Sequence, residues 1–342
     1  MAVTSTTPLF STGESLAETR LVGIARLATI GESIEEGHNV EYFTLPTKSL
    51  LNKCTTERMP FTWTINPYRG CEFACKYCYA RYTHEFMEMR DGVDFERKIY
   101  AKQQSAWLLR RDLKKVKPGQ DIAIGTATDP YQPAERRYEI TRSIMEELAM
   151  HRGLSIGVVT KSQLVLRDID VLQRISEQNQ ITIHLTVTTV NAGLARMLEP
   201  RAPRPDLRLE AVRKLNENGV NAAVICAPVL PGITDSAADL EALVKAASEA
   251  NAKYVYANPL FLKSCAAKMF IPFVEENFPH LLKSYQERYK ENAYVSPAYR
   301  KRISEIMNKL ARKYGLPDGE ERLRRREANR EQQRPTEQLR LF

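Results

Sequence analysis

From residue 61 to residue 259 the chain alternates short β-branched runs with longer amphipathic ones. Six runs read as strands, each rich in Val, Ile, Thr or Tyr: FTWTIN (61–66), DIAIGT (121–126), LSIGVVT (154–160), ITIHLTVTT (181–189), NAAVICAPV (221–229) and AKYVYANP (252–259). Helical periodicity predicts helices at about 97–116, 134–151, 163–178, 206–218 and 235–250. Asn218-Gly219 closes the fourth, and Thr234 with Asp235 opens the fifth. Repeated βα units imply a parallel sheet, because parallel neighbours need a helical crossover and cannot be joined by a hairpin. Six units predict an α/β fold built as a partial (β/α)6 TIM-like barrel; an open doubly wound sheet is the alternative.

Four stretches follow from this pattern. Residues 1–55, with weak periodicity, form an N-terminal extension draped over the core; 56–262 form the barrel; 263–315 form a C-terminal helical segment; and 316–342 form a basic tail. With 342 residues, 43% of them apolar, the chain can bury one barrel-sized core. The net charge of +8 is uneven, since 297–342 holds thirteen Lys/Arg against seven Asp/Glu. The tail, with RLRRRE at 322–327, is expected to be disordered or loosely helical. A second basic stretch, 97–117, has eight Lys/Arg and one Asp, so phosphate binding and a solvated face are both open. The first twenty residues have no secretory pattern, and no later apolar run reaches membrane-spanning length. The expectation is a cytoplasmic protein with no membrane partner. In that reducing compartment a tight cysteine group points to metal or catalysis.

Such a group is present in NPYRGCEFACKYCYAR (66–81), where Cys71, Cys75 and Cys78 fall within eight positions just after the first strand. Loops at the carboxyl ends of parallel strands gather at one mouth, where active sites lie. Three thiolates can ligate three irons of a cubane and leave the fourth open, whereas structural zinc wants four closed ligands. A zinc site would recruit His84 as the fourth, and a non-catalytic, zinc-dependent nucleic-acid-binding module is the contrasting function class.

The stretch GCEFACKYCYAR resembles the cluster-binding loop of the radical S-adenosylmethionine (SAM) enzymes. TATDPYQPAE (126–135), VVTKS (158–162), TTVNAG (188–193) and ICAPVLPG (225–232) resemble the branch related to spore photoproduct lyase. The resemblance implies a [4Fe-4S] cluster held by Cys71, Cys75 and Cys78, with SAM on its open iron. It also implies Tyr77 near the adenine, and Lys161 and Thr189 at the cofactor carboxylate. Thr128 is expected to face the methionine part, and ICAPVLPG to form an adenine-side wall. An external one-electron reductant of the flavodoxin or ferredoxin type is implied as partner. Nucleic acid is the leading substrate class; a peptide or small metabolite is the alternative. One departure stands out, because Thr126 occupies the position from which the lyase's cysteine returns hydrogen to its substrate radical. A hydroxyl O–H is too strong a bond for that role, and Tyr131 and Cys226 are the candidates for another donor.

Overall fold

The computed structural model describes residues 21–31, 33–37, 39–56 and 59–332. In chain order its strands are β1 Ser33–Gly37, β2 Val40–Leu45, β3 Leu51–Lys53, β4 Trp63–Ile65, β5 Tyr68–Arg69, β6 Lys98–Lys102, β7 Asp121–Ile124, β8 Ser155–Thr160, β9 Gln180–Thr186, β10 Ala222–Val229 and β11 Val255–Pro259. The larger sheet runs β11-β10-β9-β8-β7-β4-β3. From β4 to β11 every pairing is parallel, and β3 is added antiparallel at the edge beside β4. These six parallel strands are the six predicted from the β-branched runs. The sheet matches a partial barrel and carries edge strands at both ends.

Alternation along the strands divides its two faces. Ile122, Ile124, Ile156, Val158, Ile181, Ile183 and Leu185 are buried in the main core with the crossover helices. The opposite face carries Ala123, Gly157 and Thr182, which lie in register across three neighbouring strands. The helices Ile169–Gln178, Pro205–Glu217 and Ala237–Glu249 form at the predicted places; Pro205 at the first position and the Ser236 hydroxyl, which accepts from the Asp239 amide, account for two of the starts.

Two expectations change. The helix predicted at 97–116 is a strand, β6, followed by the shorter helix Ser105–Leu113. Ile99 to Lys102 are all buried, and β6 lies between β2 and β5 in a second sheet of order β1-β2-β6-β5. A run covered on both faces loses the polar alternation that would have marked it. The helix predicted at 134–151 is split into Glu135–Tyr138 and Ile140–Leu148 by Glu139, whose φ is 47°. The N-terminal region supplies β1, β2 and β3, while residues 1–20 lie outside the described residues. At the other end, Gly319–Gln332 is helical, and 333–342 are outside the described residues. No helix among the described residues is long and apolar enough to cross a membrane.

Candidate active site

The cysteine loop leaves β5 and is fixed on three sides. Gly70 has φ 84°, and a Cβ there would lie 2.7 Å from the Lys98 carbonyl oxygen, so only glycine passes this close to the neighbouring backbone. The Cys71 amide donates to the Phe95 carbonyl (2.9 Å) and the Lys76 amide to the Leu198 carbonyl (2.9 Å). Buried Arg81 donates to the Cys75 carbonyl (3.1 Å) and pairs with Glu96 (2.7 Å). Cys71 and Cys75 are buried and Cys78 half-buried, in a second core with Leu198, Leu230, Leu260 and the helix Ser264–Asn277.

A polar clamp joins this loop to the segment after β7. The Thr128 hydroxyl donates to the Gly70 carbonyl (2.6 Å), and the Gln132 amide nitrogen donates to Thr128 Oγ1 (3.0 Å) and to the same carbonyl (3.2 Å). Gln132 also accepts from the Glu72 amide (3.0 Å). The Glu72 carboxylate accepts from the Ala134 amide (2.8 Å) and the Tyr42 hydroxyl (2.9 Å). Thr128 therefore spends its hydroxyl on the clamp. Its neighbour Asp129 bridges the ends of β7 and β8, accepting from Thr160 Oγ1 (2.6 Å), the Lys161 amide (2.7 Å) and the Tyr131 amide (2.9 Å). The chain turns after Asp129, whose carbonyl accepts from the Gln132 amide (3.4 Å), and its carboxylate sets the backbone that carries Lys161.

Lys161 points into a buried cluster that sequence reading missed. Its Nζ lies 4.0 Å from Glu199 and 5.9 Å from the centre of the Tyr77 ring. Glu199 pairs with Arg208 at 2.5 Å and accepts from the hydroxyls of Thr188 (2.9 Å) and Tyr77. Arg208 also donates to the carbonyls of Pro203 (2.7 Å) and Thr186 (3.0 Å). Burial opposes the Lys161 charge, but Cys75 and Glu199 outweigh it and hold the ammonium above the usual lysine range. Burial likewise opposes the Glu199 charge, and Arg208 and Lys161 overcome it, so the carboxyl sits below its ordinary value. The cluster thus stays ionised. Tyr77 is pushed far above its usual range by burial and by Glu199, so its hydroxyl remains a donor.

The other sequence candidates fall as follows. Thr189 is buried, and its hydroxyl accepts from the Asn191 amide (3.1 Å) at the start of the helix Ala192–Leu198. Thr126 is half-buried at the mouth, 3.2 Å from the Asn66 amide nitrogen, and its carbonyl accepts from the Tyr79 hydroxyl. Tyr131 and Cys226 are buried in the main core, Cys226 with its Sγ 3.8 Å from the Thr188 carbonyl. His84 is sealed between Phe95 and Tyr100 with Nε2 on the Lys98 carbonyl (2.9 Å), and burial lowers it to about 4; it is committed there, not to the thiols. In ICAPVLPG, Leu230 packs in the core of the cysteine loop, but Gly232 makes its close approach to Leu281, not to an open wall. A composition scan could have flagged Glu199 only as a charge next to a proline.

The family model described as "Radical SAM superfamily" matches residues 65–246. An uncharacterized protein of Mycobacterium tuberculosis is 34% identical over 271 residues, covering 79% of both chains. One of Methanocaldococcus jannaschii is 28% identical over 251 residues, covering 73% of this chain and 86% of its own. Among solved structures, a spore photoproduct lyase mutant with bound AdoMet and dinucleoside spore photoproduct superposes with a TM-score of 0.60 at 14% identity, over 79% of each chain, which is a likeness of fold. The cysteine loop at the mouth of a six-stranded parallel sheet and the span of the family match agree: the chain belongs to the radical SAM superfamily.

Proposed function

We propose that the chain is a radical SAM enzyme in which Cys71, Cys75 and Cys78 hold a [4Fe-4S] cluster and SAM binds at the open iron. Family membership implies SAM and an iron–sulfur cluster. The observation that carries the reading is how the loop is held: Gly70, the Cys71 and Lys76 amides and the Arg81 guanidinium on the Cys75 carbonyl fix three thiols from one short stretch. A cluster takes one thiolate at each of three irons, which a single loop can supply.

Cys71, Cys75 and Cys78 would hold the cluster, which would supply one-electron reduction of SAM and so radical hydrogen abstraction from a substrate. The chain's residues orient and dry the site. Lys161, kept charged by its neighbours, is the cation for the cofactor carboxylate; Tyr77 offers the flank of its ring near the adenine; Thr189 lies one strand further along the same mouth. Thr128 acts through the clamp, holding Gly70 and so the loop. A flavodoxin- or ferredoxin-type protein is the fitting reductant. Nucleic acid is the leading substrate class, supported by the net charge of +8 and by the likeness to a fold that binds a dinucleoside photoproduct.

The test is anaerobic reconstitution with iron and sulfide, followed by dithionite reduction with SAM. The wild type should turn brown, bleach on reduction and release 5′-deoxyadenosine; the Cys71, Cys75 and Cys78 triple Ala variant should bind no cluster and release none. Full iron content and full cleavage in the triple variant would overturn the assignment.

A further inference from the structure

Beside the cysteine loop five aromatic rings join end to end. Phe86 meets Tyr82 (centroids 5.5 Å apart), Tyr82 meets Tyr79 (6.4 Å), Tyr79 meets Phe261 (5.9 Å), and Phe261 stacks on Tyr294 (4.5 Å). They come from three separate stretches: the segment after Cys78, the residues after β11, and the loop before the helix Pro297–Lys313. The strip begins at the site itself. Tyr79 follows Cys78, its hydroxyl donates to the carbonyl of Thr126, and Cys265 Sγ lies 3.5 Å from the Tyr79 carbonyl.

Core packing does not account for this arrangement. Phe86 is 60% and Tyr79 37% exposed, and Tyr82, Phe261 and Tyr294 are half-buried, so the strip keeps ring surface in water. Cations lie along it: Lys263 Nζ is 3.9 Å from the Tyr82 centroid, and the Arg300 guanidinium is 5.9 Å from that of Tyr294. Arg69 reaches the same segment through the Thr83 carbonyl (3.2 Å), and Glu85 is the one carboxylate within 79–86. Exposed ring surface with Lys263 over Tyr82 and Phe261 and Arg300 over Tyr294 suits a polymer that offers a flat ring and an anion at each unit.

We propose that this strip is a stacking platform for single-stranded nucleic acid, with unpaired bases on Tyr79, Tyr82, Phe86 and Phe261 and phosphates against Lys263 and Arg300. The proposal rests on the reading of nucleic acid as the substrate class and deepens it: the mouth takes unpaired bases, and a duplex must open to be seated there.

The experiment measures binding of a fluorescein-labelled oligothymidylate, alone and annealed to its complement, by anisotropy with the reconstituted full chain under anaerobic conditions. The single strand should bind tighter than the duplex. Phe86→Ala and Tyr82→Ala should each weaken it about tenfold, as loss of one stacked base does. Lys263→Ala should weaken it and flatten its salt dependence. Trp107→Ala, which removes an exposed aromatic with Arg111 beside it on the helix Ser105–Leu113, should change nothing. Phe86 is exposed enough that its loss spares the fold. Single-strand binding that no strip variant weakens overturns the platform alone. Failure of both oligonucleotides to bind, with cofactor cleavage intact, overturns the platform and the nucleic-acid reading together; binding of an aromatic peptide in their place overturns both as well.

Discussion

Replacing either member of the Glu199–Arg208 pair should cost far more than an ordinary ion pair is worth. The two side chains are 0% and 1% exposed and 2.5 Å apart, so neither charge has water to fall back on. Glu199→Leu leaves the Arg208 guanidinium buried with only the carbonyls of Pro203 and Thr186, and Arg208→Met leaves the carboxylate with Lys161 at 4.0 Å. Stranding a buried charge costs about 3–5 kcal/mol. The double variant strands neither member of the pair, so it should be less destabilised than the sum of the singles by about 2–3 kcal/mol, although Lys161 loses its carboxylate and the hydroxyls of Tyr77 and Thr188 lose their acceptor. Urea unfolding of the four proteins under one anaerobic buffer reads this directly. The pH dependence has a definite sign. The carboxyl of Glu199 is held below its unfolded value, so its contribution is complete above the unfolded carboxylate range of about 4.3 and fades as pH falls through the folded value. The stability gap between wild type and Glu199→Gln should therefore narrow on acidification. Single variants that each lose under about 1 kcal/mol, or a cycle additive to within about 0.5 kcal/mol, would refute the buried-charge reasoning.

Lys161→Ala should weaken SAM binding by about 1.5–3 kcal/mol, the worth of a charge-assisted hydrogen bond, while the protein keeps its iron; calorimetry showing wild-type affinity would remove Lys161 from the cofactor site. Because Thr126 offers only an O–H, the wild type should not convert a spore-photoproduct dinucleotide to thymines over many turnovers, whereas Thr126→Cys should gain some conversion. Product analysis by chromatography decides, and clean multi-turnover conversion by the wild type would show that the missing thiol does not matter.

The parallel core could be read from the sequence because its strands are β-branched runs set between helical ones, and two of them alternate. In β8 and β9 the residues that enter the helix-side core alternate with Gly157, Thr182 and His184, and the crossover helices carry caps at Ser236 and Pro205. The second sheet left no such trace. β6 is buried over most of its length and β5 is two residues long, so neither shows alternation; β6 pairs with β2 and β5 with β6, each a partner from elsewhere in the chain. Long-range pairing overrides local periodicity where a segment is too short, or too buried, to carry one.

The site divides along a similar line. Three cysteines in eight positions declare themselves because a cluster needs its ligands close, and a loop supplies them from one stretch of sequence. What holds that loop is spread over the chain. Glu72 and Gln132 stitch 70–72 to 128–134, and Glu199 and Arg208 answer Lys161 from beyond the fourth parallel strand. Each is an unremarkable polar residue until the fold buries it, and burial makes each one consequential, since a polar group removed from water must find its partner inside. Thr128 shows the limit of reading a role from a position in a motif. The resemblance points it at a ligand, while the geometry gives its proton to the Gly70 carbonyl, one residue before the first cysteine. A hydroxyl used in that way shapes the site through the backbone it fixes, so its influence on chemistry has to pass through the placement of Cys71.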